Sequence, residues 1–194
     1  MTKTIALWSP KGGQGVSTIA VELASNLKRT GPNVRVQLVS ESPDDLLAIL
    51  GMGVASDALD NWDYSEKLNI ARGGFGNFDY RVFDFGTTIP DVPVDLTLMV
   101  TKACYLSLRK SIALRNEERL VSDGFILVEE SGRSLNASDI EHMLDMRHLF
   151  TIPSGDAPGI CRTVDAGLMG VRVNATFARL ATAVLYETPN MTGV

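Results

Sequence analysis

The chain has 194 residues, 45% hydrophobic and 21% charged, with 18 Lys plus Arg against 23 Asp plus Glu for a net charge of −5. This is the size of one domain, taken as residues 1–194, and the composition excludes a disordered or collagen-like chain. The acidic balance excludes a globally basic nucleic-acid or membrane binder, while a local basic patch stays open.

Short apolar, β-branched runs predict strands at Thr4–Trp8, Val34–Val39, Arg81–Phe85, Leu96–Thr101, Phe125–Val128 and Leu149–Ile152. Helical periodicity appears first at Val16–Arg29, where Ile19, Ala20, Leu23, Ala24 and Leu27 share a face and Gly31-Pro32 gives a stop. Gly51–Asn77 reads as an irregular surface excursion with one short strand at Leu68–Ala71. A second helix is predicted over Tyr105–Val121, with Leu106, Ile112, Ala113, Leu120 and Val121 facing inward. A third covers Ala137–Asp145, capped by Asn136 or Ser138, and the last covers Thr176–Tyr186. Strands alternating with helices predict an α/β fold, a doubly wound and mainly parallel sheet with helices on both faces.

No apolar run approaches the ~20 residues of a membrane helix. The N-terminus carries no signal-peptide pattern. Cys104 and Cys161 form no Cys-x-x-Cys pair and are expected as reduced thiols in packed positions. These features together predict a cytoplasmic chain with no membrane partner.

The segment SPKGGQGVST, Ser9–Thr18, lies between the first strand and the first helix. Gly12, Gly13 and Gly15 permit positive φ and close approach of backbone N–H groups to a ligand. The helix beginning near Val16 aims its positive end at the same place, which makes an anion cradle suited to phosphate. Ser17 and Thr18 are placed to offer hydroxyls to Mg²⁺ or a phosphate. The plainer alternative is a glycine turn that closes a strand onto a helix.

This loop resembles the deviant Walker A sequence KGGxGK[ST]T of the ParA/MinD partition and positioning ATPases. DYRVFDFGTT, Asp79–Thr88, is similar to their Walker B and switch II strand, with Asp84 at the position that reaches Mg²⁺ through water. Val94–Ser111 resembles the following strand and helix, and Gly132–Ser154 the late helix, strand and Ile-Pro turn. The resemblance implies a nucleotide loop of Lys11, Gly12, Gly13, Gln14, Gly15, Val16, Ser17 and Thr18, a Mg²⁺ site at Ser17 and Asp84, and Lys11 and Asp84 as catalytic groups of any remaining activity. It also implies ATP and Mg²⁺ as cofactors, a homodimer, a protein partner, and non-specific DNA as a further candidate partner. Lys11 matches the lysine that reaches across the family's dimer.

Three departures bear on function. Where the family has a second lysine against the phosphates, this chain has Val16, and losing a charge-assisted hydrogen bond costs ~1.5–3 kcal/mol, or roughly ten- to a hundredfold in affinity. Where the family ends its second strand in Asp-x-Asp-Pro, this chain reads Ser40-Glu41-Ser42-Pro43, and a hydroxyl is a poor base for positioning water. Near Val128, where the family's adenine-reading Asn falls, Glu129 and Glu130 follow, and both would repel a polyphosphate unless they face away. Binding no nucleotide at all is therefore an equally open expectation.

Other constellations are weaker. Gly13–Thr18 approximates the dinucleotide fingerprint G-x-G-x-x-G, with Glu41 as the ribose acid. Arg109, Lys110, Arg115 and Arg119 could hold DNA phosphates, against the alternative of a solvated face with pairs such as Glu118–Arg115. His142 and His148 have no third ligand nearby in sequence, so no metal site is expected there. Asp84 has its own plain alternative as a loop acid at a strand end. The combined expectation is a partition- or positioning-type protein that dimerises around a degenerate nucleotide site, with weak or absent ATP hydrolysis. The alternative is a non-catalytic adaptor, similar to TadZ/CpaE proteins, that localises a secretion, pilus or transfer apparatus.

Overall fold

A computed structural model describes residues 2–53, 61–66, 68–171 and 174–187. Its strands are β1 (Lys3–Trp8), β2 (Val36–Ser40), β3 (Asn61–Ser65), β4 (Leu68–Ala71), β5 (Tyr80–Asp84), β6 (Leu96–Lys102), β7 (Gly124–Val128) and β8 (His148–Ile152). Its helices are α1 (Val16–Leu27), α2 (Pro43–Ile49), α3 (Tyr105–Asn116), α4 (Ala137–Leu144), α5 (Ala157–Asp165) and α6 (Ala175–Tyr186). The strands form one sheet in the order β3-β4-β2-β5-β1-β6-β7-β8. Every pairing is parallel except β3 with β4. β1 is flanked by β5 and β6, so β5 lies between β1 and β2. A dinucleotide-binding Rossmann sheet pairs its first two strands directly, and this order departs from it.

Alternation along each strand sends side chains to two cores. Ile5, Leu7, Val36, Leu38, Ile70 and Val82 face α1, α2 and α6 through Leu23, Leu27, Leu46, Phe177 and Leu180. Trp8, Met99, Phe125 and Leu127 face α3 and α4 through Leu108, Ile140 and Leu144. The sheet is thus wound on both faces, as the sequence predicts.

Towards the β3 edge, the face shared with α3 and α4 carries a polar row and, among the described residues, no helix. Arg81, Gln37, Asn69 and Asp63 stand opposite one another on β5, β2, β4 and β3. Arg81 Nε donates to Gln37 Oε1 at 2.8 Å, Gln37 Nε2 to Asn69 Oδ1 at 3.1 Å, and Asn69 Nδ2 to Asp63 Oδ1 at 2.9 Å.

Several expectations need correction. The Leu68–Ala71 strand is present, but it is a buried interior strand paired with β2 and not part of a surface excursion. Residues 54–60 of that stretch lie outside the described residues. The β3 strand and the α2 and α5 helices are additional. The second predicted helix stops at Asn116, because Glu118 turns left-handed (φ 55°) and Arg119 N–H closes back on the Leu114 carbonyl. Its inward face is also different. Ser107, Leu108 and Ser111 are buried, whereas Leu106 is 59% exposed and Ala113 and Val121 are exposed too. The reason is polar: Ser107 Oγ donates to Gln14 Oε1 at 2.7 Å, and that bond sets which face of α3 turns inward. Cys161 sits exposed on α5, contrary to the expected packed position, and Cys104 is half-buried.

Candidate functional site

The Ser9–Gly15 loop runs from the end of β1 into α1. Gly13 (φ 75°) and Gly15 (φ 94°) take left-handed backbone that a side chain would strain, and Gly15 is the N-cap of α1. Neither would meet another atom if a Cβ were added, so backbone conformation is what calls for glycine here. The loop encloses a concavity of about 230 Å³ lined by Lys11–Thr18, Gly86 and Thr87. Its N–H groups and the α1 N-terminus supply partial positive charge. Lys11 Nζ bends back to donate to the Gly12 carbonyl at 3.3 Å.

The three distinctive side chains of the loop go to different places. Gln14 is 2% exposed and turns inward. Its Oε1 accepts from Lys102 N–H at 2.9 Å and Ser107 Oγ at 2.7 Å, and its Nε2 donates to Gly12 O at 3.4 Å. Only the Gln14 backbone is left for a ligand; its side chain fastens the loop to β6 and α3. Val16 is 7% exposed and belongs to the α1 core cluster. Ser17 hydrogen-bonds to Asp84, which lies at the end of β5 in register with Leu7 of β1.

Asp84 is 9% exposed and also accepts from Gly86 N–H at 3.0 Å. Burial pushes its carboxyl above the usual carboxylate range; the Ser17 and Gly86 bonds oppose that rise, and the Asp45 charge adds to it. Asp45 comes from the first turn of α2 and shares with Ser17, Ser40, Ser42 and Asp84 a cavity of about 450 Å³. Asp45 falls at no position of the motifs quoted above. The Ser42-Pro43-Asp44-Asp45 run was nonetheless a readable helix start, with Pro at N1 and acids in the first turn. Ser40 stands beside Asp84 in register, but its Oγ accepts from Ser42 N–H at 3.2 Å and so closes the turn locally. A hydroxyl and a carboxylate are hard oxygen donors of the kind Mg²⁺ takes, so Ser17 and Asp84 fit that ion.

A third cavity, about 550 Å³, shares Gly13, Gly15 and Thr18 with the loop and extends between the ends of β7 and β8 to α5. Its walls include Val128, Ile152, Pro153, Ile160 and Phe177. Glu129 and Glu130 line it, yet they differ in state. Glu130 pairs with Lys102 at 2.9 Å and Arg133 at 2.8 Å, and the hydrogen bonds from Lys102 and Arg133 hold its carboxyl below the usual range. Both carboxylates were expected to repel a polyphosphate; the two cations neutralise Glu130. Glu129 accepts one long bond, from Ser154 N–H at 3.4 Å.

The remaining candidates separate from this centre. Glu41 lines the Asp84 cavity and not the 550 Å³ cavity that adjoins the loop. Arg115 pairs with Asp145 at 3.6 Å, in place of the expected Glu118, and Arg119 with Glu117 at 3.2 Å. His148 lies against Phe125, ring centroids 5.2 Å apart, and its Nε2 bonds Thr151 Oγ1 at 2.8 Å. Among the described residues no helix is long and apolar enough to cross a membrane.

A mainly parallel sheet with a glycine loop running from its first strand into a helix, and an acid at the end of the adjoining strand, has the architecture of the P-loop folds. More narrowly, the fold is that of the ParA/MinD ATPases. A ParA family ATPase from Chlorobium tepidum TLS superposes with a TM-score of 0.72 at 20% identity, over 93% of this chain and 98% of that one. MinD in the MinC:MinD cell division complex of Aquifex aeolicus gives 0.77 at 19%, over 96% and 97%. The septum site-determining protein MinD of Pyrococcus horikoshii OT3, complexed with Mg-ADP, gives 0.71 at 19%, over 95% and 94%. No protein-family model matches the sequence, and no curated protein matches it either. At these identities the likeness establishes the fold.

Proposed function

We propose that this is a partition- or positioning-type P-loop protein that dimerises through the face bearing Gly12–Thr18, binds nucleotide weakly there with Mg²⁺, and hydrolyses ATP very slowly or not at all. The observation that carries the reading is the contrast within one loop. The N–H cradle, Ser17 and Asp84 are in place, while the position that would carry a cation against the phosphates is Val16, packed into the core. Loop N–H groups from Gly13 to Thr18 would hold phosphate oxygens, and Ser17 and Asp84 would hold Mg²⁺, which neutralises phosphate charge when bound. Among the described residues Lys11 is the one lysine that lines the loop concavity, and from its rim it can meet either its own ligand or a second copy of the chain. Ser40 is spent on its own turn, so orientation of an attacking water falls to no group at that position. The MinC-bound neighbour supports a protein partner for such a dimer. Arg115 and Arg119 are already paired with acids, which reduces the charge that the α3 patch has to offer DNA.

Calorimetry with ATP–Mg²⁺ on the native chain and on Val16→Lys tests the proposal. A lysine stem at this first position of α1 can follow the same apolar wall and put its ammonium into the concavity. Binding is expected to tighten roughly ten- to a hundredfold. Equal affinity would overturn the role given to Val16, and robust Mg²⁺-dependent turnover abolished by Asp84→Ala would overturn the proposed lack of hydrolysis. If ATP changes neither stability nor self-association, the non-catalytic adaptor reading replaces this one.

A further inference from the structure

We propose that the base accepted by the 550 Å³ cavity is guanine and that Glu129 is the residue that reads it. This rests on the nucleotide reading above and names the ligand of that same site. Among the described residues two cavities adjoin the loop: one shares Ser17 and carries Glu41, Asp45 and Asp84, whereas the 550 Å³ one shares Gly13, Gly15 and Thr18 and has apolar walls. A nucleotide whose phosphates lie on the loop N–H groups therefore places its base in the latter. Val128, Ile152 and Pro153 offer apolar surface to a ring, so discrimination falls to the polar groups.

Adenine presents an N6–H₂ donor beside an N1 acceptor and is read by a group that both donates and accepts, such as a side-chain amide. The amide bordering this cavity, Gln14, has its oxygen and nitrogen bound to Lys102, Ser107 and Gly12. Glu130 is held by Lys102 and Arg133. Glu129 is a carboxylate, acceptor only, and its one bond, from Ser154 N–H at 3.4 Å, leaves lone pairs free. Guanine presents N1–H and N2–H₂ side by side, and a carboxylate accepts both. Against adenine one oxygen meets N6–H₂ while the other faces the N1 lone pair. Lys102 also lines this cavity, but its ammonium is paired with Glu130 at 2.9 Å, so the base preference is carried by Glu129. Glu129 is exposed at the rim, so the preference is set at ~10–100-fold and not at the larger factors of fully enclosed sites.

The test is calorimetric titration of the native chain with GDP, ADP, IDP (which lacks the 2-amino group) and pyrophosphate, repeated on Glu129→Gln with circular dichroism as a folding control. GDP is expected to bind ~10–100-fold more tightly than ADP, with IDP between them, and Glu129→Gln should bring GDP and ADP within about threefold of each other. ADP binding as tightly as GDP, pyrophosphate binding as tightly as either, or a guanine preference that survives Glu129→Gln would overturn this assignment and leave the nucleotide reading standing. Absence of binding by all four ligands up to millimolar concentration would overturn both.

Discussion

Replacing Gln14 by alanine would remove the acceptor shared by Lys102 N–H and the Ser107 hydroxyl, both inside the protein. Ser107 is fully buried, so its hydroxyl has no water to turn to, and the Lys102 N–H ends a central strand. A buried donor left without a partner costs ~1–3 kcal/mol, so two cost about 2–6 kcal/mol against a total stability of ~5–15 kcal/mol. For a domain of this size that lowers the melting temperature by roughly 4–24 °C. Urea unfolding of native, Gln14→Ala, Ser107→Ala and the double variant provides the assay. Removing Ser107 as well relieves one stranded donor, so the double variant should lose ~1–2 kcal/mol less than the sum of the single losses. A Gln14→Ala protein within about 0.5 kcal/mol of native, or strict additivity in the cycle, would refute the claim that this side chain fastens the loop.

Glu22 is buried on α1, where Gly170 N–H donates to it at 2.9 Å; burial pushes its carboxyl up, opposed by that bond, the Arg29 charge and the Asn26 amide. Its contribution is full below the ordinary value of 4.5 and is lost as pH rises through the raised one, so Glu22→Gln should gain on native in melts between pH 4 and pH 8. Asp84 follows the same sign: Asp84→Asn should stabilise the ligand-free protein at neutral pH and abolish any thermal shift on adding millimolar MgCl₂. A variant that still responds to Mg²⁺ would place the ion elsewhere. Asn136 accepts from Asp139 N–H at 3.1 Å while Asp139 returns a bond to Asn136 N–H at 2.9 Å, and Asn136→Ala should cost ~1 kcal/mol in chemical denaturation.

Where each residue's role depends on neighbours in the chain, the sequence was readable. The glycine loop, the α1 stripe from Ile19 to Leu27 and the Asn136 cap all follow from spacing, and the structure has them. Roles that depend on distant residues were not readable. Ser107 and Ser111 look like exposed helix positions until Gln14 arrives from 93 residues away to bond the first of them. Four apolar-to-mixed residues, Leu68–Ala71, cannot reveal a central position between β2 and β3, because a strand that short carries too little periodicity. In the site, Asp84 and the loop could be placed by pattern, whereas Asp45 comes near only because α2 starts immediately after β2. The different states of Glu129 and Glu130 depend on Lys102, which reaches Glu130 from another strand, and on Arg133, three residues along, which bonds Glu130 and leaves Glu129 alone.

The row of Arg81, Gln37, Asn69 and Asp63 has a consequence for how the four-stranded half of the sheet assembles. A slip of β4 by two positions between β2 and β3 would keep Asn69 on the same side of the sheet but carry it past Gln37 and Asp63, severing two links of the row together. Its apolar neighbours would be a weaker guide to that shift, since Ile70 could take the place of Leu68 with little change in volume. The polar row thus works as an alignment key, one that rejects offset pairings which greasy side chains alone would accept.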